Sequence, residues 1–287
     1  MPIFGRLLAF GAVLALVGCS ASEAAPSPPT PATPAKQSAP ASSAPPVLES
    51  ADGRTGSSTP PRPGALPRVV NHGPRTQKRV ALTFDADMTD AMIDRLRRGE
   101  VASYANMAVL QLLEKRRIPA TFFVTGQWAE QYPRELRRIA ANPRFELANH
   151  SYEHAAFTGD CYGLPRVPAD QMTRDVEKTF RALAPFGGRQ TRYFRFPGLC
   201  HDKAALRALA PLGVTVIDGD VVSGDPFARS ATPVVAAVVS KVRPGSIVIM
   251  HVTEANAQYT DEALPLILAE LERRGLEPVT LSELLSP

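Results

Sequence analysis

The stretch "RVALTFDAD", Arg79 to Asp87, is mostly apolar for six residues and then closes on two aspartates separated by one alanine. A short apolar run with β-branched and aromatic members reads as a buried strand. Side chains two apart on an extended strand share a side, so Asp85 and Asp87 are expected to point one way and Ala86 the other. Taken alone, the two acids are better read as opening a turn or a cap, and the histidine pair His150 and His154 reverses that preference. A buried strand that ends in carboxylates fits best in a parallel sheet or barrel, where functional residues collect at the carboxyl ends of the strands.

The sequence beyond this stretch repeats the pattern. Further strands are predicted at "ATFFV", "FELAN", "TRYFRF", "VTVID", "SIVIMH" and "LEPVT". Helical patterns lie between them at Ala105 to Arg116, Pro133 to Ala141, Asp170 to Leu183, Lys203 to Ala210, Pro233 to Val242 and Glu262 to Arg273. Strand alternating with helix implies parallel strands and right-handed crossovers. About seven such units predict an α/β fold, a (β/α) barrel rather than a small open sheet, over residues 79–287. Asp85 and Asp87, His150, Arg195, Asp218 and Asp220, and His251 all fall at or near predicted strand ends.

The chain has 287 residues, 44% hydrophobic and 21% charged, enough for one sizeable domain and additional material. That material is visible from Ser20 onward in "AAPSPPTPATPAKQSAPASSAPP", where almost nothing large and apolar can be buried. Residues 20–78 are therefore expected to be a disordered, proline-stiffened linker. Ahead of it, "MPIFGRLLAFGAVLALVGCS" carries one charge, Arg6, and a short apolar run, which reads as an export signal. Its end, "LVGC" at Leu16 to Cys19, is similar to a bacterial lipobox. Residues 1–19 are then a lipoprotein signal, and Cys19 is the lipid anchor holding an exported domain on the membrane, facing the envelope. An ordinary secretory signal cut nearby is the alternative.

Cys161 and Cys200 are the cysteines beyond Cys19, and in an oxidising compartment they are expected to pair; two separate buried thiols are the alternative. The net charge of +4 is mild, and the basic residues sit on helical patterns, so no nucleic-acid partner is expected. The single tryptophan, Trp128, is read as a packing residue.

The sharpest local motif is "NHSYEH", Asn149 to His154. Read as one helical turn, its two histidines face one side, and both imidazoles reach one cation. A catalytic metal site wants a third ligand and an open position for water, and the paired aspartates offer a ligand and a general base.

In this order, "TFDAD" (Thr83 to Asp87), "HSYEH" (His150 to His154), "RFPG" (Arg195 to Gly198), "DVVSGDPF" (Asp220 to Phe227) and "IMH" (Ile249 to His251) make the chain resemble the polysaccharide deacetylases with a NodB homology domain, carbohydrate esterase family 4. The resemblance implies a distorted (β/α) barrel and a metal-dependent hydrolase that removes N-acetyl groups from N-acetylglucosamine-type residues of an envelope polysaccharide such as peptidoglycan. It implies Asp85 as the base, Arg195 as the residue orienting it, His251 as the general acid and Asp225 as the aspartate holding that acid. His150 and His154 are implied as ligands of one divalent metal ion, zinc first, with cobalt or another divalent ion also suited. The family's metal aspartate follows the base directly, whereas Ala86 stands there in this chain, so the third ligand is assigned to Asp87. Gly198 replaces the aromatic that follows the family's arginine motif, and "PF" replaces its tryptophan; Leu199 and Phe227 are the candidates to refill that space. An amidase or esterase acting on other acylated glycans or small molecules is the second reading, and a silent carbohydrate-binding lipoprotein the third. A monomer is expected.

Overall fold

A computed structural model of the chain describes residues 65–286. The readings made on the signal, Cys19 and most of the linker lie outside the described residues.

Nine strands form one sheet among the described residues: β1 (Val69–Val70), β2 (Arg79–Ala86), β3 (Ala120–Val124), β4 (Phe145–Asn149), β5 (Arg189–Phe194), β6 (Thr215–Ile217), β7 (Val221–Val222), β8 (Ile247–His251) and β9 (Glu277–Val279). All pairings are parallel, in the order β1-β6-β5-β4-β3-β2-β8-β7, with β9 attached to β2. The helices are α1 (Asp90–Arg97), α2 (Met107–Lys115), α3 (Gly126–Gln131), α4 (Pro133–Ala141), α5 (Met172–Leu183), α6 (Lys203–Leu209), α7 (Ala231–Val239), α8 (Thr260–Arg273) and α9 (Leu281–Leu285). The fold is the expected curled, barrel-like α/β sheet.

Two details differ from the sequence reading. The folded part begins before Arg79, because Val69 and Val70 pair with Val216 and Ile217 of β6. The sheet also has two strands more than the seven expected. Both additions, β1 and β7, are two residues long, too short to leave a periodic signal, and only their neighbours make them strands.

The central strand β2 is buried along all but its first residue. Val80, Leu82, Phe84 and Ala86 pack in one large cluster with Leu110 and Leu113 of α2 and Leu264, Ile267 and Leu271 of α8. Burying one such Phe or Leu contributes about 1.5–3 kcal/mol. Helix α8 shows why it lies there: Ala263, Leu264, Ile267, Leu268 and Leu271 are buried at helical spacing on one stripe. The alternate residues of β2 face the interior of the curl. There Ala81 packs with Phe123, Ala148, Ile217 and Ile247, and Leu281 and Leu284 of α9 join the same cluster.

Register carries this alternation across the strands. Asp85 lies opposite His251 on β8 and opposite Phe123 on β3, and Phe123 in turn lies opposite Ala148 on β4. Partners in a parallel ladder share a face. Asp85 and His251 therefore emerge side by side on the inner face.

Candidate active site

Asp85 is the penultimate residue of β2 and Asp87 the first beyond it. Ala86 between them is fully buried in the outer cluster, so the two carboxylates face inward together, as strand alternation requires. Across the interior, the β4–β5 ladder shifts register between Leu147 and Asn149, which brings Asn149 opposite Phe194. Such irregularities re-aim the side chains that follow. The residues that follow are His150 and Arg195, and Arg195 N donates to Asn149 O at 3.0 Å.

Arg195 is fully buried. Its Nη1 donates to Asp85 Oδ1 at 2.5 Å, Nη2 to Thr83 Oγ1 at 2.9 Å and Nε to Ile217 O at 3.2 Å. Its guanidinium lies 3.9 Å from the centre of the Phe123 ring. A buried guanidinium is tolerable only when its nitrogens find acceptors and a countercharge is near; here each nitrogen donates a hydrogen bond and Asp85 supplies the charge.

The expected helical turn at His150 to His154 is a loop. Ser151 and His154 have left-handed backbones, φ 67° and 55°. Hydrogen bonds from outside the segment hold it: Gly126 N and Gln127 N donate to Ser151 O and Tyr152 O, Tyr152 N donates to Asp175 Oδ1, and Asn149 Oδ1 accepts from Ser151 N. Gly126 is required at this approach, since a Cβ there would stand 2.1 Å from the Tyr152 ring. Both imidazoles nevertheless reach one point. Asp87 Oδ1 lies 3.4 Å from His150 Nε2 and 3.5 Å from His154 Nε2.

These three residues fit a divalent cation. Asp87 Oδ1 is buried and has no hydrogen-bond partner. His150 Nδ1 donates to Arg195 O at 2.9 Å, which leaves the Nε2 lone pair facing Asp87. Ligands about 2.1 Å from one tetrahedral centre stand about 3.4 Å apart, which is the spacing seen. One donor atom from each of Asp87, His150 and His154 lies within 4.8 Å of the others.

On the far side, His251 Nδ1 donates to Asp225 Oδ1 at 2.8 Å, and its Nε2 stands 3.7 Å from Asp87 Oδ2. Asp225 is in turn held by Ser223 Oγ, Thr260 Oγ1 and the backbone N of His251, each at 2.7 Å. Burial disfavours charge on His251, but the Asp225 carboxylate outweighs it and pushes the imidazole up to about 10. At His154 burial, aided by the neighbouring His150 and His251 imidazoles, outweighs the Asp87 carboxylate and lowers the imidazole to about 4. Burial would raise Asp87, yet the three surrounding imidazoles hold its carboxyl far below the usual range.

All seven candidate residues, Asp85, Asp87, His150, His154, Arg195, Asp225 and His251, thus converge. Asp218 and Asp220 do not: Asp218 pairs with His201 at 3.0 Å, and Asp220 with Arg75 at 2.7 Å. Trp128 is 1% exposed and donates to Tyr104 O, a packing role as expected. Cys161 and Cys200 are bonded, as expected, with Cα atoms 5.9 Å apart. Sequence reasoning missed Thr83, Ser223 and Thr260, the hydroxyls that hold Arg195 and Asp225. The inward alternation of β2 marks Thr83 in hindsight, whereas nothing local marks Thr260. It missed Tyr162 as well, which lines the cavity of about 290 Å³ above the cluster together with Leu199, Val222, Phe227 and Ile249.

The profile of the polysaccharide deacetylase family matches residues 72–217, a span holding Asp85, Asp87, His150, His154 and Arg195. A bifunctional xylanase/deacetylase of Pseudobutyrivibrio xylanivorans is 29% identical over 75% of this chain; the match spans 32% of that protein, so the chain corresponds to about a third of it. A peptidoglycan-N-acetylglucosamine deacetylase of Bacillus cereus is 27% identical over 73% of this chain and 69% of its own length. Among solved structures, the family 4 acetyl xylan esterase of Clostridium thermocellum, in complex with a cobalt ion, superposes with a TM-score of 0.55 at 28% identity, over 70% of this chain and 89% of that one. With the motifs, the fold and the family profile in agreement, the chain belongs to the polysaccharide deacetylase family.

Proposed function

We propose that this protein is a metal-dependent hydrolase that removes N-acetyl groups from N-acetylglucosamine-type residues of an envelope polysaccharide such as peptidoglycan. The observation that carries the reading is the unpartnered, buried Asp87 Oδ1 facing two imidazole nitrogens, with a carboxylate–arginine pair on one side and a carboxylate–histidine pair on the other.

Asp87, His150 and His154 would hold one divalent ion, zinc first, with cobalt an alternative in keeping with the ion in the Clostridium esterase. When bound it supplies Lewis acidity toward the amide carbonyl and the attacking water. The remaining chemistry belongs to the side chains. Asp85 accepts a proton from the water as its oxygen adds to the carbonyl carbon. Arg195 keeps that carboxylate aimed through a charge-assisted hydrogen bond to Oδ1. His251 donates its Nε2 proton to the amide nitrogen as the carbon–nitrogen bond breaks, because an amine leaves poorly until protonated. Asp225 holds the imidazolium upright through Nδ1. Acetate and a free amine result.

The same groups cleave an ester, whose oxygen leaves more readily. An O-acetylated glycan is the second reading, favoured by the likeness to an acetyl xylan esterase and by Gly198. Acetate release by the metal-loaded protein from N-acetylglucosamine oligomers, intact peptidoglycan and acetylated xylan separates the two. Release from the first pair, lost on chelation and restored by added zinc or cobalt, is expected. Release from xylan alone would transfer the assignment to the esterase, and release that is indifferent to chelation would overturn the metal.

We also propose export and lipid attachment at Cys19, supported by "LVGC" and the signal-like run before it. Cys19→Ser is expected to move the protein out of the membrane fraction or block its maturation; detergent-dependent membrane association that persists in this variant overturns the anchor. The protein is proposed to act as a monomer, checked by light scattering.

A further inference from the structure

The cavity above the cluster, about 290 Å³, sits at the lower end of the range of roughly 300–1,000 Å³ usual for ligand pockets. One acylated sugar fills such a space, and the neighbouring sugars of a polymer must lie over the rim. The large apolar side chains that stand exposed among the described residues are Leu66, Tyr162, Val222, Phe227 and Leu266. Three of these five, Tyr162, Val222 and Phe227, line this one cavity. An exposed apolar cluster of that kind at a cavity mouth marks a binding surface.

Tyr162 is the unexpected member. It is 77% exposed, yet its backbone is left-handed at φ 52°, an arrangement that costs a non-glycine residue energy and persists only where the surroundings impose it. Those surroundings are the Cys161–Cys200 bond immediately before it and the arginine-motif loop beneath it. Gly198 in that loop also has positive φ, 61°, and a Cβ there would stand 2.6 Å from Cys161 Sγ and 3.0 Å from Tyr162 Cδ2. The space above Gly198 is therefore already filled by the disulfide and the Tyr162 ring. A side chain missing from one loop is supplied by a residue of another, and the covalent bond holds that residue in place.

Resting on the deacetylase reading, we propose that Tyr162 is a specificity-determining residue: its ring, fixed over Gly198 by the Cys161–Cys200 bond, stacks on the apolar face of a sugar next to the one being deacetylated. Pyranose rings present rows of C–H bonds that pack on aromatic faces, and a ring fixed beforehand loses little freedom on binding. Trp128, the single tryptophan, is buried and takes no part.

The test is steady-state acetate release from an N-acetylglucosamine tetramer by the metal-loaded chain. Tyr162→Ala is expected to raise KM about three- to tenfold while kcat moves less than twofold. Tyr162→Phe and Tyr162→Trp are expected to restore KM, which a merely structural effect would not do. Tyr162→Asn removes the ring but suits a left-handed backbone, so it carries the test should the alanine variant misfold. Leu266→Ala, exposed on α8 away from the cavity, is the control and is expected to keep the wild-type KM. Wild-type KM in the alanine or asparagine variant, with tetramer turnover intact, overturns the inference and leaves the deacetylase reading standing. No acetate from the tetramer with the wild-type protein overturns that reading and the inference with it.

Discussion

Two buried carboxylates, one on each wall of the site, are bound to a basic partner, and the partners differ in one respect that decides what each wall can do. On the β2–β5 wall Asp85 is paired with Arg195, whose guanidinium can only donate hydrogen bonds to it. On the β7–β8 wall Asp225 is paired with His251, whose Nε2 proton can leave toward the cavity while Nδ1 stays bound. In the proposed mechanism the first wall positions the carboxylate that takes a proton, and the second wall delivers one. Asp87 lies between them, its Oδ1 facing two imidazole nitrogens yet accepting no hydrogen bond, which is why the cation is assigned to it.

The largest effects should come from the centre. His150→Ala and His154→Ala are expected to abolish metal retention, measured by elemental analysis of the purified protein, and to lower kcat/KM at least a thousandfold. A double variant with full metal and full activity would remove the cation from the mechanism. The two aspartates should then part. Asp85→Asn is expected to keep the metal and lose kcat by about 10²–10⁴-fold, the range of a general base, whereas Asp87→Ala is expected to lose the metal itself. Metal loss in the first variant and not in the second would exchange their roles.

The proton-delivering wall should respond more mildly in chemistry and more clearly in stability. Asp225→Ala leaves Ser223 Oγ, Thr260 Oγ1 and the His251 groups without their shared acceptor, so it is expected to destabilise the fold by about 3–5 kcal/mol in urea unfolding, as breaking a buried pair does. Asp225→Asn keeps part of that bonding and should fold, with metal content unchanged and kcat reduced. Unchanged kcat would end the comparison of the two walls.

Next in size is the disulfide. Closing a separation of 39 residues stabilises by about 4 kcal/mol in the chain-entropy model, so Cys161→Ser is expected to lower unfolding stability by up to that amount and leave metal content near the wild-type level. Unchanged stability would place the bond outside the fold's energetics.

The smallest effect concerns Asp175, which receives the Tyr152 N–H and so supports the histidine loop. Burial, aided by Glu153, pushes this carboxyl up to about 7. A carboxyl raised in the folded state binds its proton more tightly there than in the unfolded chain, so stability falls as pH rises from the ordinary carboxylate range through about 7. Asp175→Asn keeps an acceptor for Tyr152 N. It is expected to gain about 1–2 kcal/mol over wild type at pH 8 and nothing at pH 4; an equal difference at both would show that the carboxyl is not perturbed.

Legible in the sequence are the strand that carries Asp85 and Asp87, the face they share, the strand–helix alternation that makes the sheet parallel, and, through the family resemblance, the seven candidate residues that converge in the fold. The strand, its shared face and the alternation are written in a period of two or about 3.6 residues and need only near neighbours to be read, whereas the candidate residues are read from the order of five short motifs that the resemblance links. The rest depends on places where distant segments meet. The left-handed backbones at Ser151 and His154 exist because α3 and Asp175 hold the loop, not because "NHSYEH" prefers them. The two-residue strands β1 and β7 exist because β6 and β8 lend them partners. Tyr162 reaches the space over Gly198 because a bond between residues 39 apart puts it there. Contacts of that range are set by the packing of the whole domain, and no local pattern encodes them.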